Sequence, residues 1–249
     1  METLIKQTRE LGTSAGVLLP RSWLNKQVSV TILQPSKEKI AKDILDIVLR
    51  SNLNDEVKGI YLYGSYARNE NDAESDIDIF IITQKLNRII NENNYEILLV
   101  SEDNFSKNLK NNLNYQTLLK EAEVILNKGL IEKYRNNPPY FNYKEYLSEI
   151  KSIVKINKET IGLYKKINKN IPDGIVYSVV LRLRELYLIR CLIHKKSYYK
   201  KDFLKITGEN AYLAHLRIKR NEKDFDNTKY NEVINLITLS EKWLKELKG

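Results

Sequence analysis

The chain reads as a small mixed α/β core, preceded by a β-hairpin appendage and followed by an all-helical bundle. Three observations predict this. Residues 59–82, GIYLYGSYARNENDAESDIDIFII, hold two apolar runs rich in Ile and Tyr on either side of a polar connection. Beyond Asn136-Asn137-Pro138-Pro139 no strand-like run is left and the apolar residues recur at helical spacing. Ahead of residue 35, short extended stretches are punctuated by glycines and a proline.

The first segment, residues 1–34, predicts a strand, a Gly-rich turn from Gly12 to Gly16 and a short strand. A helical turn opened by Pro20 and a strand from Val28 to Leu33 complete it. Strands so few and short cannot bury a core alone, so they pair with the next domain or with another chain. Lys6, Arg9, Arg21 and Lys26 offer a face that could contact DNA phosphates, or they are solvated residues of a dimerising appendage. Self-association as a homodimer follows from either reading.

Gln34-Pro35-Ser36 marks a break, and residues 36–135 form the next expected domain. Ser36 and Glu38 ahead of Ile40, Ile44, Ile47 and Val48 predict a capped amphipathic helix. The two motif strands follow, then Tyr95–Val100 as a third strand. Ser101–Leu119 and Glu121–Leu130 alternate at helical spacing. The paired prolines at 138 and 139 end a helix and stiffen a linker. In residues 140–249, Tyr143–Lys169, Gly174–Lys195 and Tyr230–Leu247 suit long helices. The middle one is apolar on most faces and belongs at the centre of a bundle.

Composition narrows the function classes. The chain has 249 residues, 42% of them apolar, which supports folded cores and argues against extended disorder. It has no run of about 18 uninterrupted apolar residues, which excludes a membrane-spanning helix. METLIKQTREL lacks the apolar core of a secretory signal, and the single cysteine, Cys191, cannot form an internal disulfide. Both point to the cytoplasm. One cysteine also leaves no cysteine zinc cluster. The net charge of +9 favours polyanionic partners without naming one.

Chemistry concentrates at the motif strands. Side chains alternate along a strand, so Asp76 and Asp78 share one side, roughly 7 Å apart. Two unpaired carboxylates held that close repel each other and are costly to desolvate. A hard divalent cation such as Mg²⁺ removes the conflict, taking one or two carboxylates plus phosphate oxygens. Gly64 lets a phosphate approach the backbone, and the Ser65 hydroxyl can cap a helix start. Together these residues suggest metal-assisted nucleotidyl transfer.

Gly64-Ser65-Tyr66-Ala67-Arg68 followed by Ser75-Asp76-Ile77-Asp78 resembles the signature of the polymerase-β-like nucleotidyltransferases, in the minimal MNT-type branch where GSxARG precedes SDxD. The resemblance covers roughly residues 36–135. It implies a small mixed sheet flanked by helices and a third carboxylate on a later strand, for which the candidate is Glu96. Family members usually carry Asp there, and Gly where this chain has Asn69; Asn tolerates the left-handed turn. The resemblance implies that Asp76, Asp78 and Glu96 are catalytic and bind two Mg²⁺ ions, with Mn²⁺ as a substitute. Gly64, Ser65 and Arg68 would hold the nucleotide, Arg68 by a phosphate contact or by bracing the loop. An NMP, with ATP the favoured donor, would pass to a hydroxyl of a protein, RNA or small molecule. A helical bundle behind such a core commonly frames the acceptor side.

The pattern from Gly12 to Trp23, G-T-S-A-G-V-x-L-P-x-x-W, is similar to AbrB-like swapped-hairpin modules, which dimerise and bind DNA. It supports an alternative: a DNA-binding regulator or antitoxin-like interaction protein that keeps the nucleotidyltransferase fold as a scaffold. Arg190 and His194 stand one helical turn apart, but the Arg…His ribonuclease motif of HEPN domains is spaced more widely. They read as the polar end of a buried helix. Lys195–Lys201 and Arg217–Arg220 are either phosphate-binding clusters or solvated helix ends.

Overall fold

In the computed structural model, residues 3–6, 8–31, 34–72 and 75–248 are described. The chain divides into two compact units, Met1–Ser36 and Lys37–Gly249.

In the first unit, β1 (Arg9–Leu11) and β2 (Ser14–Gly16) form a two-stranded antiparallel hairpin. The turn is tighter than the Gly12–Gly16 expectation, because Gly12 adopts φ 59° and reverses the chain within two residues. Ser14–Gly16 is therefore strand. A 3₁₀ turn spans Arg21–Trp23 after Pro20. Residues 28–31 are not in a strand, and positions 32 and 33 of that expected strand lie outside the described residues. None of the unit's described residues is buried.

The second unit opens with α1 (Lys37–Arg50), which buries Ile40, Ile44, Ile47 and Val48, the apolar stripe visible in the sequence. β3 (Val57–Tyr63) leads through the short helix α2 (Gly64–Ala67) to β4 (Ile77–Thr83). β5 (Arg88–Glu92) and β6 (Tyr95–Ser101) follow as a hairpin. Next come α3 (Glu102–Asn108), α4 (Leu113–Glu121), β7 (Glu123–Leu126) and α5 (Lys128–Asn136). The sheet order is β5-β6-β4-β3-β7, with β4 and β6 parallel and the other pairs antiparallel.

Two strands depart from the sequence expectation. Residues 123–126 form edge strand β7 rather than helix; a short half-exposed apolar run fits either period. Asn127 then turns the chain at φ 63°, and its side chain caps α5 by accepting from Leu130 N. β5 was not anticipated, because its mostly exposed RIINE carries little alternation.

Alternation along the strands makes two cores. Ile60, Leu62, Ile77, Ile79, Ile81, Ile97 and Leu99 pack under α1 on one face. Tyr61, Phe80, Ile82 and Val100 pack with Phe105, Leu118 and Ile131 on the other. Asp78 and Glu96 share parity with Phe80 and Val100, so they lie on this second face at the end of the sheet.

The bundle comprises α6 (Lys144–Lys166), α7 (Asp173–Ile193), α8 (Lys200–Thr207), α9 (Glu209–Lys219) and α10 (Tyr230–Glu246). α7 is central: Val176, Val179, Val180, Leu183, Leu186 and Ile189 are all at most 1% exposed. Buried Asp173 at its start takes the Arg217 guanidinium at 2.6 and 3.0 Å and the Phe225 amide at 3.0 Å, tying α7 to α9. Leu113 of α4 belongs to the bundle's core cluster, and its amide donates to Tyr146 Oη at 3.0 Å. Sheet and bundle thus share packing within one unit.

Among the described residues no helix is long and apolar enough to cross a membrane.

Candidate active site

The register of the sheet brings the acids together. Asp78 pairs with Glu96 across the parallel β4–β6 ladder and with Tyr63 across the antiparallel β3–β4 ladder. Asp76 lies just ahead of β4 and is exposed, Asp78 is half-buried and Glu96 is exposed. The Ile77 amide donates to Asn94 O at 2.8 Å, fixing where β4 begins.

The loop meets the acids at Gly64. With φ +72°, Gly64 lies so close that a Cβ added to it would stand 1.9 Å from Asp78 Oδ2. Only glycine fits a left-handed backbone pressed against a carboxylate. Asn69 also takes the left-handed form, at φ 53°, in the place where the family resemblance leads one to expect glycine.

The Asp78 carboxyl is pushed up to about 6, first by burial, then by the charges of Glu96 and Asp76, with Lys219 and Arg68 acting against the rise. Burial, followed by Asp78, Glu96 and Glu121, raises the neighbouring Tyr63 phenol. No lysine or arginine stands within ion-pair distance of Asp76, Asp78 or Glu96 among the described residues. The donors are all hard oxygens and they strain against each other's charge, which fits a divalent cation better than an ion pair. No three ligating side chains converge on one point among the described residues. The fit therefore rests on Asp76 and Asp78, with Glu96 alongside on the next strand.

Arg68 is committed elsewhere. Its Nε donates to Glu70 Oε2 at 2.9 Å and its Nη1 to Glu121 Oε2 at 2.6 Å. The other Glu121 oxygen accepts from Gly64 N at 3.2 Å. The guanidinium also lies 5.1 Å from the Tyr198 ring centre, and Arg184 lies 5.6 Å from the same centre. In this structure Arg68 braces the loop; the sequence had left open whether it braces or contacts phosphate. The Lys200 amide donates to Glu70 at 2.7 Å, and its ammonium pairs with Asp72 at 3.0 Å. The basic run 195–201 thus helps lock the bundle onto the loop.

Glu121, Glu70, Tyr63 and Tyr198 were not picked out from the sequence. Glu121 lies 57 positions from Gly64, and no local pattern announces that bond. Arg190 pairs with Glu246 and lies 5.0 Å from the Trp243 ring centre, whereas His194 follows the last residue of α7.

A family model described as "Nucleotidyltransferase domain" matches residues 41–169, more than half of the chain. The chain belongs to the nucleotidyltransferase domain family. The matched segment of this nucleotidyltransferase contains Gly64, Asp76, Asp78, Glu96 and Glu121, and it runs past Pro139 into α6. No curated protein matches the chain. The solved structure of a nucleotidyltransferase-like protein from Exiguobacterium sibiricum 255-15 is similar at 12% identity. That likeness covers 83% of this chain and 75% of the other at a TM-score of 0.36, too loose to carry an argument about the site.

Proposed function

We propose that the protein moves an NMP from a nucleoside triphosphate, with ATP the favoured donor, to a hydroxyl on a protein, RNA or small-molecule acceptor, releasing pyrophosphate. The observation that carries this reading is the contact between Gly64 and Asp78. It sets a backbone that a phosphate can approach against a carboxylate that calls for a cation.

Asp76 and Asp78 would hold Mg²⁺, or Mn²⁺ in its place, with Glu96 as the third ligand. Two such ions, when bound, would neutralise the triphosphate and help ionise the attacking hydroxyl. The chain's own residues do the rest. The loop amides after Gly64 and the Ser65 hydroxyl receive the outer phosphates. Glu121 and Arg68 hold the loop in the conformation that presents those groups. The bundle is fastened beside the loop through Lys200 and Tyr198, and frames the side from which an acceptor arrives.

The test is transfer of label from α-phosphate-labelled ATP, CTP, GTP and UTP, with Mg²⁺, to extract protein and RNA. Transfer that disappears in Asp76→Ala/Asp78→Ala supports the reading; no transfer and no nucleotide binding from any donor defeats it.

The first unit is proposed to self-associate. Leu11, Leu18, Leu24 and Val30 are 58%, 64%, 71% and 76% exposed in a unit with no buried residue among those described, and a second copy of the same hairpin would cover them. Lys6, Arg9, Arg21 and Lys26 are exposed as well, as DNA contacts would require. A steep loss of duplex binding with salt, abolished by Arg9→Glu/Arg21→Glu, would favour the regulator reading.

A further inference from the structure

Beside the loop, and lined by none of Asp76, Asp78 or Glu96, a cavity of about 240 Å³ opens between α4 and α7. Its walls follow from helical spacing. Leu188, Cys191 and Leu192 fall on one face of α7, while Thr117, Lys120 and Glu121 fall on one face of α4. Tyr198 and Tyr199 close the side. The volume lies below that of cavities for drug-sized ligands, so it suits a molecule about the size of one ring.

Its charge is unbalanced. Glu121 is already taken by Arg68 and Gly64 N. Lys120 and Lys196 also line the cavity, and among the described residues no carboxylate stands within ion-pair distance of either. Among the described residues the Lys120 ammonium donates to the Lys196 carbonyl alone, and burial holds it below its usual range. Two cations without a counter-ion at the rim of an apolar pocket match a ligand with one negative group and an apolar body.

We infer that this cavity binds a small organic monoanion, its apolar body against Leu188 and Leu192 and its charge at Lys120 and Lys196. The site goes beyond the proposed nucleotidyl transfer. It shares with that reaction only the wall residues Arg68, Glu121 and Tyr198, which hold the loop and bundle in place, so each proposal can fail alone.

Cys191 supplies the readout, because it is the chain's single cysteine, lies in the cavity wall and is 7% exposed. Alkylation of the full-length protein by iodoacetamide would be followed with benzoate, with the neutral benzamide and with ATP–Mg²⁺. Ring-sized ligands bind in the millimolar range at best, so each is used at about 10 mM. Benzoate is expected to slow alkylation about fivefold or more, with benzamide and ATP–Mg²⁺ leaving the rate within twofold. Lys120→Met and Lys196→Met should each remove the benzoate protection, judged against that variant's own rate without ligand, which falls because each lysine favours the Cys191 thiolate. Leu192→Trp, which fills the cavity, should also remove it. Equal protection by benzoate and benzamide, protection that survives both lysine substitutions, or no protection at all would overturn the assignment. Protection by ATP–Mg²⁺ but not benzoate would overturn it too, by making the cavity part of the nucleotide site.

Discussion

Gly64 and Asp78 are pressed together: a single methyl group on the glycine would fall 1.9 Å from the aspartate Oδ2, on a backbone already at φ +72°. Gly64→Ala is therefore expected to destabilise the fold by at least about 1–2 kcal/mol, the cost of the left-handed backbone alone. It should also push Asp78 out of place and weaken nucleotide binding about tenfold or more. Chemical denaturation and calorimetric titration with ATP–Mg²⁺ check both halves. A variant with parental stability and affinity would mean that the close approach has no consequence.

Asp78 is half-buried beside two other acids, with no basic partner at ion-pair distance among the described residues, so it costs stability that a purely structural residue would not. Asp78→Asn should raise the melting temperature in EDTA, in line with the roughly 0.5–2 kcal/mol gained when a strained functional site is relieved. Mg²⁺ should stabilise the parent and leave the variant unmoved. Thermal denaturation with and without the ion reads this without any assay of transfer.

The legibility of this site in the sequence follows the range of its interactions. Asp76, Asp78 and Gly64 stood out because a strand period of two and a glycine turn are local signals. The three long helices of the bundle, α6, α7 and α10, were equally plain from their long apolar patterns, whereas the shorter α8 and α9 were not anticipated. Glu121 was hidden: its value lies in two bonds to residues more than 50 positions away. Tyr198 sits inside the basic run 195–201, and nothing local shows that Arg68 and Arg184 both lie against its ring. β7 and β5 were missed because edge strands are short and half-exposed, with only a few residues to show a period.

Glu185 on α7 gives a pH signature away from the site. Burial pushes its carboxyl up to about 7, with Glu149 adding to the rise and Arg182 and Arg184 opposing it. Arg182 Nη1 lies 2.9 Å from Oε2, yet that oxygen makes no hydrogen bond, so proximity without bonding geometry does not offset the burial. A carboxyl whose folded value lies above its usual 4.5 contributes stability below pH 4.5 that is lost as pH rises through about 7. Glu185→Gln should therefore melt higher than the parent at pH 8, by on the order of 1 kcal/mol, and show little gain near pH 4.5. Melting curves across that range check the sign; a gain largest in acid would contradict it.

The exposed leucines and valines of the first unit predict a concentration-dependent mass. Leu18→Glu/Val30→Glu should shift the protein from dimer to monomer in sedimentation equilibrium while leaving the melting of the Lys37–Gly249 unit unchanged. A parent protein that stays monomeric up to about 100 μM would remove the case for a partner copy.

The central claim is that Asp76 and Asp78 exist to seat a cation carrying a nucleoside triphosphate against the Gly64 loop. Calorimetric titration of the full-length protein with a non-hydrolysable ATP analogue, in Mg²⁺ and in EDTA, tests it most directly. Binding should be strong with Mg²⁺, and at least about tenfold weaker both in EDTA and in Asp76→Asn/Asp78→Asn. Equal affinity in all three conditions would contradict it.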